Sequence, residues 1–161
     1  MPRSALRRQG NVTVSSRVAA PRERVWARVV TPEGVNHELM PIMRMTVPRG
    51  LGSFDLERLP VGEPIGRSWI LLGGLIPVDY DDLKLDRVDP GFGFLERSTM
   101  LTMRLWEHER TLSDQGDGCV VTDRLRFKPR LPLPIGLVER IVRAIFRHRH
   151  RRLLRWFDSD S

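Results

Sequence analysis

Three polar residues able to carry acid–base or ion-pairing chemistry, His108, Arg110 and Asp123, lie in two segments in which apolar and polar residues alternate. The glycine-containing stretch at 115–118 between the segments predicts a β-hairpin turn. That turn would place Arg110 directly opposite Asp123, and His108 opposite Leu125, with these side chains on one face of a sheet. The sequence therefore predicts a small polar group on an otherwise apolar, inward face.

Two interpretations of this polar group are open. In the first, the three side chains orient a carbonyl, hydroxyl or carboxylate of a ligand, and His108 exchanges a proton near neutral pH. His108, and after it Asp123, are then the candidates for an acid–base catalyst, but the pattern assigns neither a catalytic role. In the second, Arg110 and Asp123 form a buried ion pair, or an ion pair that only closes the end of the sheet.

Aromatic residues of the strand-like segments could line a cavity, because flat rings bury much area with little loss of rotamer entropy. The alternative is that they fill an ordinary core. Together with the polar group and two apolar residues near the C-terminus, they make up the predicted ligand-binding set, which is Trp69, Tyr80, Phe94, Trp106, His108, Arg110, Asp123, Phe127, Ile141 and Ile145.

A cluster of carboxylates lies in one strand-like segment, at Asp79, Asp81 and Asp82. Consecutive residues of a strand point to alternate faces, so the three cannot converge on one metal ion. A solvated rim of the sheet is the favoured interpretation.

The histidines outside the hairpin do not match metal-binding motifs. His37 and Glu38 lack the second histidine of a zinc-protease helix, and His148 and His150 have arginine neighbours that would repel a cation. The sequence also contains no phosphate-cradling glycine loop, dinucleotide fingerprint or serine elbow. We therefore expect neither a metal nor a cofactor.

The elements that must position these residues follow from hydrophobic periodicity. Alternation over 11–19 predicts a first strand, and helical spacing predicts two short helices over 21–30 and 33–40. Six more strands are predicted at 43–47, 68–72, 78–88, 92–98, 103–112 and 119–128, and a long helix at 135–157. The short turns between these strands favour an antiparallel sheet.

Two parts of the strand region are less regular. Residues 48–66 are rich in Gly and Pro, which predicts a long loop that can include a turn of helix. In 78–88 the alternation changes phase near Asp81 and Asp82, which predicts a β-bulge that bends the strand.

This layout resembles the START-like superfamily, which includes polyketide cyclases, pollen-allergen-like carriers and lipid-transfer domains. Local matches are the helix start Ala-Pro-x-x-x-Val-Trp at 20–26 and the closing hairpin at 106–111 and 121–127. The resemblance implies an α+β helix-grip fold, in which a curved seven-stranded antiparallel sheet surrounds a long C-terminal helix, with two short helices after the first strand. It also implies a cavity for a small apolar molecule, but this superfamily shares a cavity and not a set of reactive residues.

The composition is that of one domain. A chain of 161 residues can bury its own core, and we expect a flexible N-terminus at 1–10, one domain at 11–158 and a tail at 159–161. The single cysteine, Cys119, allows no internal disulfide. The basic opening segment lacks the apolar core of a signal peptide, and no apolar run reaches membrane-spanning length, so we expect a cytoplasmic protein.

Much of the net charge of +7 comes from the last helix-like segment. The favoured interpretation is an amphipathic helix with a solvated arginine face, and an anion-binding patch is the alternative. Base-stacking aromatic residues do not interleave with these arginines, which disfavours nucleic acid as a partner. The arginines of this run are Arg140, Arg143, Arg147, Arg149, Arg151, Arg152 and Arg155.

Three functions are compatible with these observations. The leading hypothesis is a carrier or sensor that holds a lipid-like or polyketide-like molecule between the sheet and the last helix. The first alternative is a polyketide cyclase/dehydrase-type enzyme that uses the same cavity, with His108 or Asp123 as its acid–base group. The second is a module whose arginine-rich helix docks on an anionic membrane surface. The sequence leaves the oligomeric state open.

Overall fold

The computed structural model describes residues 8–51 and 55–160. Along the chain it contains β1 (Gly10–Val18), α1 (Arg22–Val29), α2 (Pro32–Leu39), β2 (Met43–Met45), a 3₁₀ turn (Leu56–Arg58), β3 (Pro64–Leu72), β4 (Ile76–Asp89), β5 (Gly93–Met100), β6 (Met103–Gln115), β7 (Gly118–Pro129) and α3 (Ile135–Ser159). The α+β class and the order of elements predicted from the sequence are confirmed.

The seven strands form one sheet in the order β1-β7-β6-β5-β4-β3-β2. All of the strand pairs are antiparallel. Strands β2 to β7 follow one another as a meander, and β7, the last of them, pairs with β1. The sheet curls around α3, which is the predicted helix-grip arrangement. Because each hairpin joins neighbours in sequence, short turns are sufficient to build almost the whole sheet.

The two short helices begin where their sequences favour it. Pro21 precedes α1, where its missing N–H is not needed for a helical hydrogen bond. Thr31 caps α2, since its hydroxyl accepts a hydrogen bond from the N–H of Gly34 at 3.0 Å. α2 packs against α3 and β2, and so it closes one side of the sheet's concave face.

Helix α3 contains 25 residues and is therefore roughly 38 Å long at about 1.5 Å per residue. It packs across β1 and α2. Two polar residues occupy positions in its buried stripe, which consists of Val138, Val142, Phe146, Arg149, His150, Leu153 and Phe157. No α-helix within 8–51 or 55–160 is both long enough and apolar enough to span a bilayer.

The buried apolar residues form two clusters and not one continuous core. One cluster packs α1 and the C-terminal half of α3 against the sheet and includes Val121 and Leu153. The other packs the N-terminal half of α3 against β1 and β7 and includes Leu125 and Phe146. Asp123 lies between Val121 and Leu125 on β7 and is completely buried. Polar groups therefore separate the two clusters.

The bulge predicted at Asp81 and Asp82 is wrong. The register of β4 is interrupted instead near Val78, on its β3 side, and near Asp86, on its β5 side. In the sequence, the alternation of apolar and polar residues is interrupted at Asp81, because an aspartate is expected to face outward. In the structure Asp81 shares the inward face with Leu83 and is buried.

Strand β3 begins at Pro64, earlier than predicted, because the long β4 provides a pairing partner up to Lys84. The 3₁₀ turn confirms a turn of helix within the predicted loop at 48–66. Residues 52–54 of that loop lie outside the described residues.

The predicted chain ends differ slightly from the structure. β1 begins at Gly10, inside the expected flexible segment 1–10, and residues 1–7 lie outside the described residues. α3 extends to Ser159, the first residue of the expected tail, and residue 161 is also outside the described residues.

Candidate functional site

A cavity of about 410 Å³ lies between the inner face of the sheet and α3. Most of its wall is apolar, with contributions from Ile70 on β3, Trp106 on β6, and Val142 and Ile145 on α3. Protein interiors are packed closely and rarely contain voids much larger than a water molecule. A hollow of this size is therefore a feature that the fold maintains.

The cavity opens between β4 and the N-terminal half of α3. Three of its lining residues, Val78, Leu133 and Ile141, are 42%, 51% and 52% exposed to solvent. The first belongs to β4, the second to the segment before α3, and the third to α3 itself. The mouth of the cavity is consequently apolar.

A smaller hollow of about 90 Å³ lies on the other side of the same wall, next to α1 and α2. Met45, Glu96, His108 and Arg149 line both hollows. These four side chains form a partition, and three of them are ionisable.

A belt of buried polar side chains crosses the inner face of the sheet between the two apolar clusters. Strand pairing places its members side by side, since Arg110 is opposite Asp123 and Glu96 is opposite His108. We call this set the polar belt; its members are Glu38, Ser68, Asp81, Glu96, Ser98, His108, Arg110, Asp123, Arg149 and His150, all of them buried.

Asp123 is the sealed centre of the polar belt. Its carboxylate accepts hydrogen bonds from Nε and Nη2 of Arg110 at 2.8 and 2.6 Å. It also accepts one from Nε2 of His108 at 2.7 Å and one from Nε2 of His150 at 2.8 Å. Burial alone raises the pKa of Asp123, but the charges of Arg110 and His108 outweigh burial and hold that pKa well below its ordinary value.

The hairpin register predicted for Arg110 and Asp123 is confirmed, but the two side chains do not reach the cavity. Neither lines the cavity or the smaller hollow, and Arg110 is only 1% exposed. Their prediction as ligand-binding residues, and that of Asp123 as a catalyst, is therefore corrected. The buried ion pair, the second interpretation of the sequence, describes this geometry.

Glu38 joins α2 to this centre, a role that the sequence analysis missed. Its carboxylate accepts hydrogen bonds from Nη1 of Arg110 at 2.7 Å and Nε of Arg149 at 2.9 Å. Burial raises the pKa of Glu38, but the two guanidinium charges overcome it, and the pKa is lowered.

Arg149 was expected on the solvated arginine face, and this expectation is wrong. The side chain is 8% exposed and points into the protein. Helical spacing contains the signal, because Arg149 lies three residues after Phe146 and four before Leu153, both in the buried stripe. Arg140, Arg147, Arg151 and Arg155 are exposed as predicted.

His108 connects the sealed centre with the cavity. Asp123 is ionised and can only accept, so Nε2 of His108 donates to it. The other ring nitrogen, Nδ1, lies 3.8 Å from a carboxylate oxygen of Glu96. Because His108 also lines both hollows, a bound molecule can contact its ring.

Asp81 and Glu96 form a second acidic feature of the polar belt. Both are buried and line the cavity, and Glu96 accepts a hydrogen bond from the hydroxyl of Ser98 at 2.9 Å. Burial, together with the charge and hydrogen bonding of Glu96, raises the pKa of Asp81 well above its ordinary value. The solvated rim predicted for this region is wrong for Asp79 and Asp81, whereas Asp82 lies on the outer face.

The apolar candidates divide into three groups. Trp106, Ile141 and Ile145 line the cavity. Phe94 lines the smaller hollow and meets His108 edge to face, with ring centroids 5.3 Å apart. Phe127 is completely buried and packs in the core, so its prediction as a ligand-binding residue is corrected.

The predicted placement of Trp69 and Tyr80 in the cavity is wrong. Ser68 is buried and Ile70 lines the cavity, so Trp69 between them points to the outer face and is 43% exposed. Its ring packs edge to face on Tyr80, its cross-strand partner, at 5.5 Å. The guanidinium carbon of Arg67 lies over the Tyr80 ring, 3.6 Å from its centroid. These aromatic residues thus stabilise the outer surface of the sheet.

No group of three or more His, Cys, Asp or Glu residues in the described ranges has the geometry of a metal site. The carboxylates of the polar belt are engaged mainly by arginine, histidine and hydroxyl groups.

Solved structures with the same fold are similar to this chain over nearly its whole length. A START superfamily protein from Mycobacterium smegmatis matches with a TM-score of 0.70 and 12% identity, covering 94% of this chain and 99% of that protein. Protein CV1439 from Chromobacterium violaceum matches with a TM-score of 0.69 and 14% identity, covering 91% and 96%. DynU16, a protein of the dynemicin biosynthetic locus, matches with a TM-score of 0.62 and 18% identity.

The match to DynU16 covers 94% of this chain but 48% of DynU16, so the chain spans about half of that protein. A search of curated proteins finds no significant match. At these identities the structural likeness shows the fold alone, which is START-like. The sequence from residue 16 to residue 157 matches a family model, and the chain belongs to that family, Domain of unknown function (DUF8410).

Proposed function

We propose that this chain binds one small, largely apolar molecule in the cavity between the sheet and α3. The cavity is the observation that supports the proposal, since its volume of about 410 Å³ falls within the range of about 300–1,000 Å³ that is usual for ligand pockets. Its walls are apolar, and a few polar groups converge at one end, which is the arrangement that holds a molecule and fixes its orientation.

The test is native mass spectrometry of the gently purified full chain, followed by denaturation and identification of any released molecule. Titration of the emptied protein with an environment-sensitive apolar dye gives a second measurement. A protein that carries nothing and takes up no apolar dye contradicts the proposal.

A second candidate function is docking on an anionic membrane. The β3–β4 hairpin carries Leu72, Leu75 and Ile76, which are 46%, 85% and 61% exposed, and Val78 of the same hairpin lies at the cavity mouth. Exposed apolar residues next to a ligand entrance are typical of a membrane-contacting surface. The exposed arginines of α3 supply the charge that anionic lipid attracts. Sedimentation with vesicles of defined charge tests this function.

If the cavity also supports a cyclase/dehydrase-type reaction, His108 is the residue to test. His108 lines the cavity, whereas Asp123 does not. Asp123 orients the His108 ring through the hydrogen bond to Nε2. Turnover of a poly-ketone substrate that is lost in His108→Ala would support catalysis, and unchanged turnover would exclude His108 as the acid–base group.

A further inference from the structure

Three carboxyl groups, those of Asp79, Asp81 and Glu96, lie on the strand side of the cavity wall and are all buried. Asp79 accepts hydrogen bonds from the N–H groups of Tyr80 and Thr102 at 2.8 and 3.2 Å, and one from the Thr102 hydroxyl. Its hydrogen-bonding capacity is therefore used locally. Asp81 and Glu96 differ, because their carboxyl groups interact between β4 and β5, although Asp81 pairs with Met100 and Glu96 with Leu85.

Asp81 has an unused polar atom. Its Oδ1 is buried and has no hydrogen-bond donor among the residues at 8–51 and 55–160. A buried carboxylate oxygen without a donor is costly, and native structures normally supply a partner. The residue is 3% exposed and lines the cavity, so a molecule bound there is well placed to supply the missing donor.

The charge of this wall is also unbalanced. Within the described ranges, no arginine or lysine forms a salt bridge with Asp79, Asp81 or Glu96. Among the residues that the structure describes, Arg149 is the one arginine or lysine that lines the cavity, and its Nε is bonded to Glu38.

Arg110, the other arginine of the polar belt, does not change the charge balance of the cavity wall. Arg110 and Arg149 carry two positive charges, which the carboxylates of Glu38 and Asp123 match. Of the three carboxyl groups of the cavity wall, Glu96 has an oxygen 3.8 Å from Nδ1 of the His108 imidazole.

This chemistry selects among apolar ligands by their polar end. A carboxylate ligand would add a further negative charge next to Asp81 and Glu96, which is unfavourable in a poorly solvated cavity. A hydroxyl could donate one hydrogen bond but would not balance charge. A protonated amine donates up to three hydrogen bonds and balances one negative charge.

We propose that Asp81 and Glu96 form the recognition site for a basic nitrogen, and that the cavity takes a lipophilic amine whose hydrocarbon part contacts Trp106, Ile141 and Ile145. This inference rests on the proposed function, because it assigns the polar end of the molecule that the cavity binds. It gives a reason for keeping two buried carboxyl groups in an apolar wall.

Binding of the amine must also move a proton. Burial and the neighbouring Glu96 raise the pKa of Asp81 and so favour its protonated form when no cation lies beside it. Asp79 on β4, Glu96 on β5, His108 on β6 and Arg149 on α3 are the charged or titratable groups facing it from the packed elements. An ammonium group takes the place of that proton, which is released to solvent, and it balances the negative charge that Asp81 then carries.

The test uses three probes with the same ten-carbon chain, which are decylamine, decanol and decanoate, titrated calorimetrically into the full wild-type chain. We expect decylamine to bind at least about tenfold more tightly than decanoate. Repeating the titration in buffers of different ionisation enthalpy should show a net release of protons with decylamine and none with decanol. Decanoate binding as tightly as decylamine overturns the inference while leaving the proposed function intact.

Single substitutions test whether Asp81 and Glu96 cause the preference for decylamine. Asp81→Asn and Glu96→Gln should each weaken decylamine binding about tenfold or more and change decanol binding little. Asp82→Asn is the matched control, because Asp82 lies on the outer face with Arg67 and should leave all three affinities unchanged. Unchanged decylamine affinity in both cavity variants also overturns the inference. Failure of all three probes to bind the wild type would instead contradict the proposed function.

Discussion

Arg110 and Asp123 face each other across β6 and β7, with Nη2 of the arginine 2.6 Å from Oδ2 of the aspartate. Their side chains are 1% and 0% exposed, so the pair is sealed from water. Isolated buried charges are strongly unfavourable, whereas a paired and fully hydrogen-bonded set is tolerated. Arg110 is therefore expected to hold the polar belt together and not to contact a ligand.

The first prediction concerns Arg110→Met, which removes the charge but keeps much of the side-chain volume. Asp123 and Glu38 would then be left without their shared guanidinium, and the free energy of unfolding should fall by about 3–5 kcal/mol. Urea denaturation followed by circular dichroism measures the change. The control is Arg126→Met on the outer face, where Arg126 is half-exposed in its salt bridge to Glu107 and the bridge should contribute about 1 kcal/mol or less. Equal losses in the two variants would contradict a special role for the buried pair.

Much of the sheet could be predicted from the sequence because its pairing is local. The β6–β7 hairpin follows from a turn at 115–118 and two alternating segments, and the register of Arg110 with Asp123 needs no information from elsewhere in the chain. The third partner, Glu38, lies on α2, far from both in sequence. Single-sequence patterns do not specify which polar residues of separate elements meet, so this half of the polar belt was not found.

The inward and outward faces of β3 and β4 were the other weak point. Aromatic residues are usually buried and carboxylates are usually exposed. Residue type alone therefore predicts Trp69 and Tyr80 on the inner face of the sheet and Asp81 on the outer face. The structure reverses both assignments. The parity of Leu83 and Leu85 was the better guide, since residues two apart on a strand share a face. A residue whose type conflicts with its parity, such as Asp81, marks a position where function competes with stability.

The second prediction concerns the pH dependence of stability. The pKa of Asp81 is raised in the folded state, so its contribution to stability is fully present below about pH 4, the pKa of an unfolded aspartate, and is lost as pH rises through the folded pKa. Asp81→Asn should therefore leave stability almost unchanged near about pH 4 and increase it at higher pH, because asparagine does not ionise. Urea denaturation across the pH range measures the difference.

Asp123 should show the opposite dependence of stability on pH. Its folded pKa is lowered, so its contribution is present above about pH 4 and is lost as pH falls. Asp82→Asn is the control for Asp81, because it makes the same substitution on the outer face of the same strand, where the carboxylate is bonded to Arg67. A stability difference for Asp81→Asn that shrank with rising pH would show that the folded protein prefers this carboxyl group ionised.

The third prediction tests the cavity by filling it. Ile145 lines the cavity from α3, and Ile145→Trp places a larger apolar side chain in open space. Because this side chain can extend into the cavity of about 410 Å³, overpacking should cost little, and the thermal midpoint should change by a few degrees at most. Uptake of an apolar dye should fall about tenfold or more.

The control for the filled cavity is Ala144→Trp, since Ala144 is the preceding residue of α3 and is exposed. It should leave dye uptake unchanged. If both variants took up the dye equally, or if Ile145→Trp unfolded the protein, the hollow would not be the space that accepts the ligand.

The fourth prediction concerns the exposed tip of the β3–β4 hairpin. Leu75 is 85% exposed, so Leu75→Asp should not alter the fold, but it would bring a negative charge to a surface that approaches anionic lipid. Sedimentation with vesicles containing phosphatidylserine should show binding of the wild type and about tenfold weaker binding of the variant, because both apolar burial and charge attraction are lost. Val61→Asp is the control, since Val61 is also exposed but bridges to Leu85, away from the mouth of the cavity. Equal binding of the two variants would exclude the hairpin tip as the contact, and absence of wild-type binding at low salt would exclude membrane docking itself.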